Sequence, residues 1–208
     1  MRRSCPHLPF ERFADDVIVH CRTEAEAEAV RAAIAQRLRD CGLELHPEKT
    51  KVVYCKDDDR RGNFLHQKFD FLGYTFRARR SKSRQGKYFI NFSPAISDKA
   101  ANAIREEIRS WKLHARSDKA IDDLARMFNP ILRGWLQYYG HYYRSAMYPV
   151  MRHLDRLLAR WACRKYKKLR QHLRRATHWI RCISVRDPRL FAHWQMGVRR
   201  TGSMMGAV

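Results

Sequence analysis

Phe10-Glu11-Arg12-Phe13-Ala14-Asp15-Asp16-Val17-Ile18-Val19-His20-Cys21 decides how the N-terminal part of the chain folds. Its β-branched run Val17-Ile18-Val19, broken at Ala14-Asp15-Asp16, predicts two short strands around a turn. Adjacent carboxylates on such a turn repel each other unless a cation bridges them. Mg2+ ions about 4 Å apart, held by hard oxygen ligands on a rigid hairpin, activate a hydroxyl and stabilise a leaving pyrophosphate. An Asp-Asp turn without metal is the commoner outcome for an isolated pair, so the surrounding sequence has to decide.

Outward from that turn, Thr23 and Glu26 make a capping box that opens a helix. Val30, Ile34, Leu38 and Cys41 repeat at helical spacing, and Gly42 closes the helix at its C′ position. Leu43–Leu45, the turn His46-Pro47-Glu48-Lys49 and Lys51–Cys55 predict a further strand pair. Residues 56–63 read as a polar loop. Phe69–Phe76 and Lys87–Phe92 predict a hairpin joined by the basic loop Arg77–Gly86. Beyond Ser93-Pro94 the period changes from two to 3.6. Ser97 opens a helix with Ile104, Ile108 and Trp111, and Ser117-Asp118 opens another, perturbed at Asn129-Pro130. Pro149 suits the first turn of a third, striped by Val150, Leu154, Leu157, Leu158 and Trp161. The end from Gly197 is expected to fray.

The charge is distributed unevenly. The 208 residues carry 43 Lys and Arg against 21 Asp and Glu, a net +22. Residues 1–61 are neutral, whereas residues 105–181 hold nineteen bases and six acids. Between Leu124 and Arg181 the only acid is Asp155, against fourteen bases. A solvated helical face normally mixes signs, and self-repulsion this large calls for a counter-anion, with a phosphate backbone the obvious one. Trp135, Tyr138, Tyr139, Tyr142, Tyr143, Trp161, Tyr166 and Trp179 interleave with these bases, as rings for stacking on nucleobases or for filling a core.

Cysteine usage and hydropathy exclude other classes. Cys5, Cys21, Cys41, Cys55, Cys163 and Cys182 contain no C-x-x-C pair, and a zinc site from Cys163, His172, His178 and Cys182 is rejected on spacing. Free thiols fit a reducing compartment, here a bacterial-type cytoplasm, with an organellar origin left open. No apolar run long enough for a membrane span or secretory signal is present, and no membrane partner is expected.

The order of these motifs carries a resemblance. The Asp-Asp hairpin, the capped helix to Gly42, Leu43-Glu44-Leu45-His46-Pro47-Glu48-Lys49-Thr50 and Phe69-Asp70-Phe71-Leu72-Gly73-Tyr74 succeed one another as in the C-terminal half of the palm of group II intron-encoded reverse transcriptases. That family usually has Tyr-Ala-Asp-Asp; Phe13 keeps the ring and loses the hydroxyl. Arg133-Gly134-Trp135-Leu136-Gln137-Tyr138-Tyr139 and its surrounding helices resemble the family's thumb, the maturase domain. The implied architecture is α+β: a partial palm over residues 1–95, a helical thumb or maturase domain over 96–181, and an extension over 182–208.

The resemblance assigns roles residue by residue. Asp15 would ligate the catalytic Mg2+ ions and Asp16 would support them, while Lys49 would approach the triphosphate of the incoming nucleotide. Phe71, Leu72, Gly73 and Tyr74 would form the primer grip. Arg133, Arg144, Arg160, Arg164, Lys165, Lys167 and Lys168 would meet intron RNA or a template–primer duplex. The family's polymerase needs another aspartate from an earlier palm strand, and Met1–Arg12 contain none. The chain is therefore expected to be inactive alone as a polymerase, and to be a truncated copy or one piece of a split protein. A partial palm is also expected to leave apolar surface uncovered. No Cys-rich or His-Asn-His endonuclease segment follows Gln195. Three functions compete: part of an RNA-directed DNA polymerase completed by a separate N-terminal half, a maturase-type clamp on intron RNA, and a generic basic RNA-binding protein or inactive remnant.

Overall fold

The computed structural model describes residues 8–60 and 62–197. Cys5 and the end beyond Gly197 lie outside the described residues. The fold is α+β, with five α-helices and two small antiparallel sheets among the described residues.

Strand β1 (Phe10–Phe13) pairs antiparallel with β2 (Asp16–Val19), Phe10 opposite Val19 and Phe13 opposite Asp16. Ala14 and Asp15 are left as a two-residue turn, with Ala14 in the left-handed region at φ 52° and its carbonyl accepting from Arg12 Nε at 3.0 Å. Helix α1 (Glu24–Asp40) starts on Thr23, whose hydroxyl accepts from the Glu26 N–H at 3.1 Å. The Glu26 carboxylate reaches back to the Arg22 N–H at 2.7 Å, one residue before the cap. At the other end the Leu43 N–H bonds to Leu38 O and the Gly42 N–H to Arg39 O, the paired closure that a left-handed Gly42 permits.

Two expectations for this region are corrected. Among the described residues no strand lies between Asp40 and Lys68, so Leu43–Leu45 and Lys51–Cys55 do not pair. An alternating pattern makes a strand only with a ladder partner, and residues 51–55 make one backbone bond to a later segment, Tyr54 N–H to His66 O at 2.8 Å. The later hairpin is a three-stranded sheet, β3 (Lys68–Phe71), β4 (Tyr74–Lys82) and β5 (Tyr88–Ile96), in that order. Leu72 and Gly73, at φ 50° and 77°, turn the chain between β3 and β4 as a two-residue hairpin requires. Basic side chains do not interrupt a ladder, so β4 runs through Arg77–Lys82, and only Ser83–Lys87 remains as loop.

The chain divides into two compact units, one ending at Phe71 and resuming over Phe76–Phe92, the other comprising Leu72–Thr75 and the chain from Ser93. In the first unit, Leu8 is the only buried residue among those described. Helix α1 buries none of its residues fully; Val30, Ile34 and Leu38 are half-buried, while Phe13, Val17 and Leu43 are exposed.

The second unit holds the core. Helix α2 (Asp98–Ser110) is capped by Ser97, whose hydroxyl accepts from the Ala100 N–H at 3.1 Å. Helix α3 (Ile121–Tyr139) begins three residues later than Asp118, because the Asp123 carboxylate caps the Ala120 N–H at 3.0 Å. It continues through Pro130 to Tyr139. Helix α4 (Tyr148–Lys165) carries Pro149 in its first turn, and α5 (Leu173–Arg186) precedes a tight turn over Ala192–Met196. Leu124, Leu132, Met147, Val150, Met151, Leu158 and Trp161 are wholly buried. Each such aliphatic side chain contributes about 1.5–3 kcal/mol by leaving water. Trp111 stacks between Phe128 at 4.1 Å and Trp135 at 5.7 Å.

Candidate nucleic-acid interface

Asp15 sits in the β1–β2 turn and Asp16 begins β2; both are exposed. No group of three or more His, Cys, Asp or Glu side chains suited to a metal is present among the described residues. The carboxylates of this turn are those of Asp15 and Asp16. Lys49 is exposed in the 47–49 turn.

Leu72-Gly73-Tyr74 is tied to the end of α3. The Tyr74 hydroxyl donates to the Tyr138 carbonyl, and the Tyr138 hydroxyl donates to Leu72 O at 2.9 Å. Gly73 O accepts from the Ser97 N–H at 2.9 Å. A Cβ on Gly73 would meet the Tyr139 hydroxyl at 2.9 Å. Tyr74 is buried among the rings of Tyr138, Tyr139 and Tyr142, centroids 5.3–5.6 Å away. Burial first, and then those tyrosines, pushes its pKa up to about 12. Tyr74 is thus occupied as an anchor, while Leu72 and Tyr142 keep exposed apolar surface.

The seven basic residues singled out in the sequence fall into two groups. Lys165 Nζ donates to Ser117 O at 2.8 Å and Arg164 Nη1 to His114 O at 3.5 Å, so both hold the loop before α3. Arg133, Arg144, Arg160, Lys167 and Lys168 are exposed, and among the described residues none of them makes an ion pair.

Asp155 is the residue whose role the sequence left unread. It is buried on α4, accepts from the Trp194 indole N–H at 3.0 Å and lies 2.9 Å from His193 Nε2. The turn that supplies those partners is secured by Asn129, which donates to Leu190 O and accepts from the Ala192 N–H, both at 2.8 Å. The segment 124–181 consequently carries fourteen bases and no exposed carboxylate. The available signal was spacing: Met151, Leu154, Asp155 and Leu158 share one helix face, which is apolar apart from the aspartate.

His153 on α4 is half-buried, and its Nε2 is buried without a hydrogen-bond partner among the described residues. Burial, followed by Arg156, Arg109, Arg105 and Arg160, holds its pKa below the ordinary histidine value. The interleaved aromatics mostly fill the core: Trp161 is buried, and half-buried Tyr166 meets both Trp161 and Trp179. Tyr138 and Tyr142 are the exposed rings. Cys182 Sγ lies 3.3 Å from His178 Nε2 on α5, with Cys163 half-buried on α4. No helix among the described residues is long and apolar enough to cross a membrane.

Residues 1–76 match the family described as reverse transcriptase (RNA-dependent DNA polymerase). Residues 101–179 match the group II intron, maturase-specific domain. Neither a curated protein nor a solved structure matches the chain.

Proposed function

We propose that this chain, a group II intron reverse transcriptase/maturase by its two matched segments, binds intron RNA through its helical unit and favours the splicing-competent fold of that RNA. The observation that carries this reading is the burial of Asp155. With that acid inside, no exposed carboxylate lies within residues 124–181 to dilute the field of the bases on α4 and α5. Such a surface releases condensed counterions from RNA when its bases replace them at the phosphates. Arg133, Arg144, Arg160, Lys167 and Lys168 are the members best placed for contact, since no acid among the described residues pairs with them. The exposed rings of Tyr138 and Tyr142 add stacking surface.

Reversing Arg133, Arg144, Arg160, Lys167 and Lys168 to Glu weakens binding of a labelled intron RNA at least tenfold while the thermal midpoint of the protein stays within a few degrees. Unchanged affinity in that variant contradicts the reading. Comparison with an unrelated folded RNA separates a maturase from a generic basic RNA-binding protein, which retains the two RNAs equally.

A second reading rests on the Asp15-Asp16 turn. In it the chain supplies part of a two-metal RNA-directed DNA polymerase centre, with further carboxylates and the fingers coming from a separate polypeptide. Two carboxylates do not hold the metal pair, so the chain alone is expected not to extend a primer on an RNA template with Mg2+ and nucleotides. Extension by the chain alone contradicts this. In a complemented complex, Asp15→Ala abolishes extension and leaves RNA affinity nearly unchanged.

A further inference from the structure

We infer that Arg105 and Arg109 of α2, together with Arg156 and Arg160 of α4, form a cradle for one phosphodiester group of bound RNA, grouped about the His153 imidazole. The inference rests on the RNA-binding reading and specifies one of its contacts. Helix α2 packs on α4. Arg105 and Arg109 are four apart and share a face of α2; His153, Arg156 and Arg160 are spaced three and four apart and share a face of α4.

The four guanidinium groups are poorly neutralised. Arg105 Nη1 donates to the uncharged Asn102 side chain at 2.7 Å. Arg109 meets Glu106 at 3.8 Å, with both side chains more than half exposed, a loose pair of little strength. The neighbouring Glu107 carboxylate is taken up by the Trp111 indole N–H at 3.1 Å. Arg156 and Arg160 make no ion pair among the described residues. The charged groups that act on the imidazole are these four arginines, with no carboxylate among them.

His153 makes the cradle distinguishable from an ordinary basic patch. Its buried Nε2 has no hydrogen-bond partner among the described residues. Burial and the arginines hold the ring's pKa below the ordinary histidine value there. A phosphate held by these arginines offsets part of their positive field on the imidazole, so the ring takes up one proton from solvent on binding. Arginines alone remain charged throughout and bind independently of pH in this range. The sign follows: binding takes up a proton, and affinity rises as pH falls through the histidine range.

The test uses the full chain and a fluorescently labelled folded RNA hairpin. Affinity is measured at constant ionic strength from about pH 5.5 to 8, and proton uptake by calorimetry in buffers of different ionisation enthalpy. Wild type takes up protons on binding and tightens several-fold toward acid, whereas His153→Gln takes up nearly one proton fewer and has a flatter pH profile. Arg105→Gln combined with Arg156→Gln weakens binding about tenfold and reduces the salt slope by about one. Arg126→Gln, which removes a base already paired to Asp123, binds like wild type. Inorganic phosphate at matched ionic strength does not displace the RNA; displacement marks a free-anion site and overturns the assignment. Full proton uptake by His153→Gln, or wild-type affinity in the arginine pair variant, overturns the cradle while leaving salt-dependent RNA binding standing. RNA binding indifferent to salt overturns the broader reading as well.

Discussion

Asp155 receives the Trp194 indole N–H at 3.0 Å and lies 2.9 Å from His193 Nε2. His193 is wholly buried and Trp194 nearly so. Removing the carboxylate strands both partners in an interior where an unmet donor costs about 1–3 kcal/mol. Asp155→Ala is expected to lower unfolding stability by on the order of 3 kcal/mol, and Asp155→Asn, which keeps an acceptor oxygen, by less. Denaturant unfolding of purified protein measures this; an alanine variant within about 0.5 kcal/mol of wild type shows that the contact does not anchor the C-terminal turn. The same residue governs the surface, because its burial leaves the neighbouring arginines of α4 without an exposed acid. Tyr74, which the resemblance places in a primer grip, has its hydroxyl and ring engaged by α3, and Leu72 is the exposed member of that turn.

Local devices were legible in the sequence, and pairings over distance were not. The β1–β2 turn, the Thr23 and Ser97 caps, Gly42 and the Pro149 start each depend on a few adjacent residues, and each forms where the residue types require it. Lys51–Cys55 has the composition of a strand but finds one backbone bond to a later segment instead of a ladder, since pairing depends on a distant neighbour. The length of β4 was hidden for a different reason: a run of arginines suggested a loop, although the ladder uses only backbone groups. Of the candidate site, the exposed bases on α3 and α4 were readable as a patch. The division within it was not, because the bonds from Arg164 and Lys165 to His114 and Ser117 cross about fifty residues of sequence.

At the scale of the molecule, nearly all complete burial belongs to the helical unit, while the first unit exposes Phe13, Val17 and Leu43. Stability and RNA affinity are accordingly expected to reside in the unit containing α2–α5. The proposed clamp grips RNA through phosphate contacts made by the bases of residues 124–181, a segment with no exposed acid. The salt dependence of RNA affinity for the full chain tests it. A clamp engaging several phosphates predicts a linear fall of log K with log salt, with a slope of about −0.7 to −0.9 for each phosphate neutralised. A slope near zero, with affinity sustained at high salt, contradicts the claim.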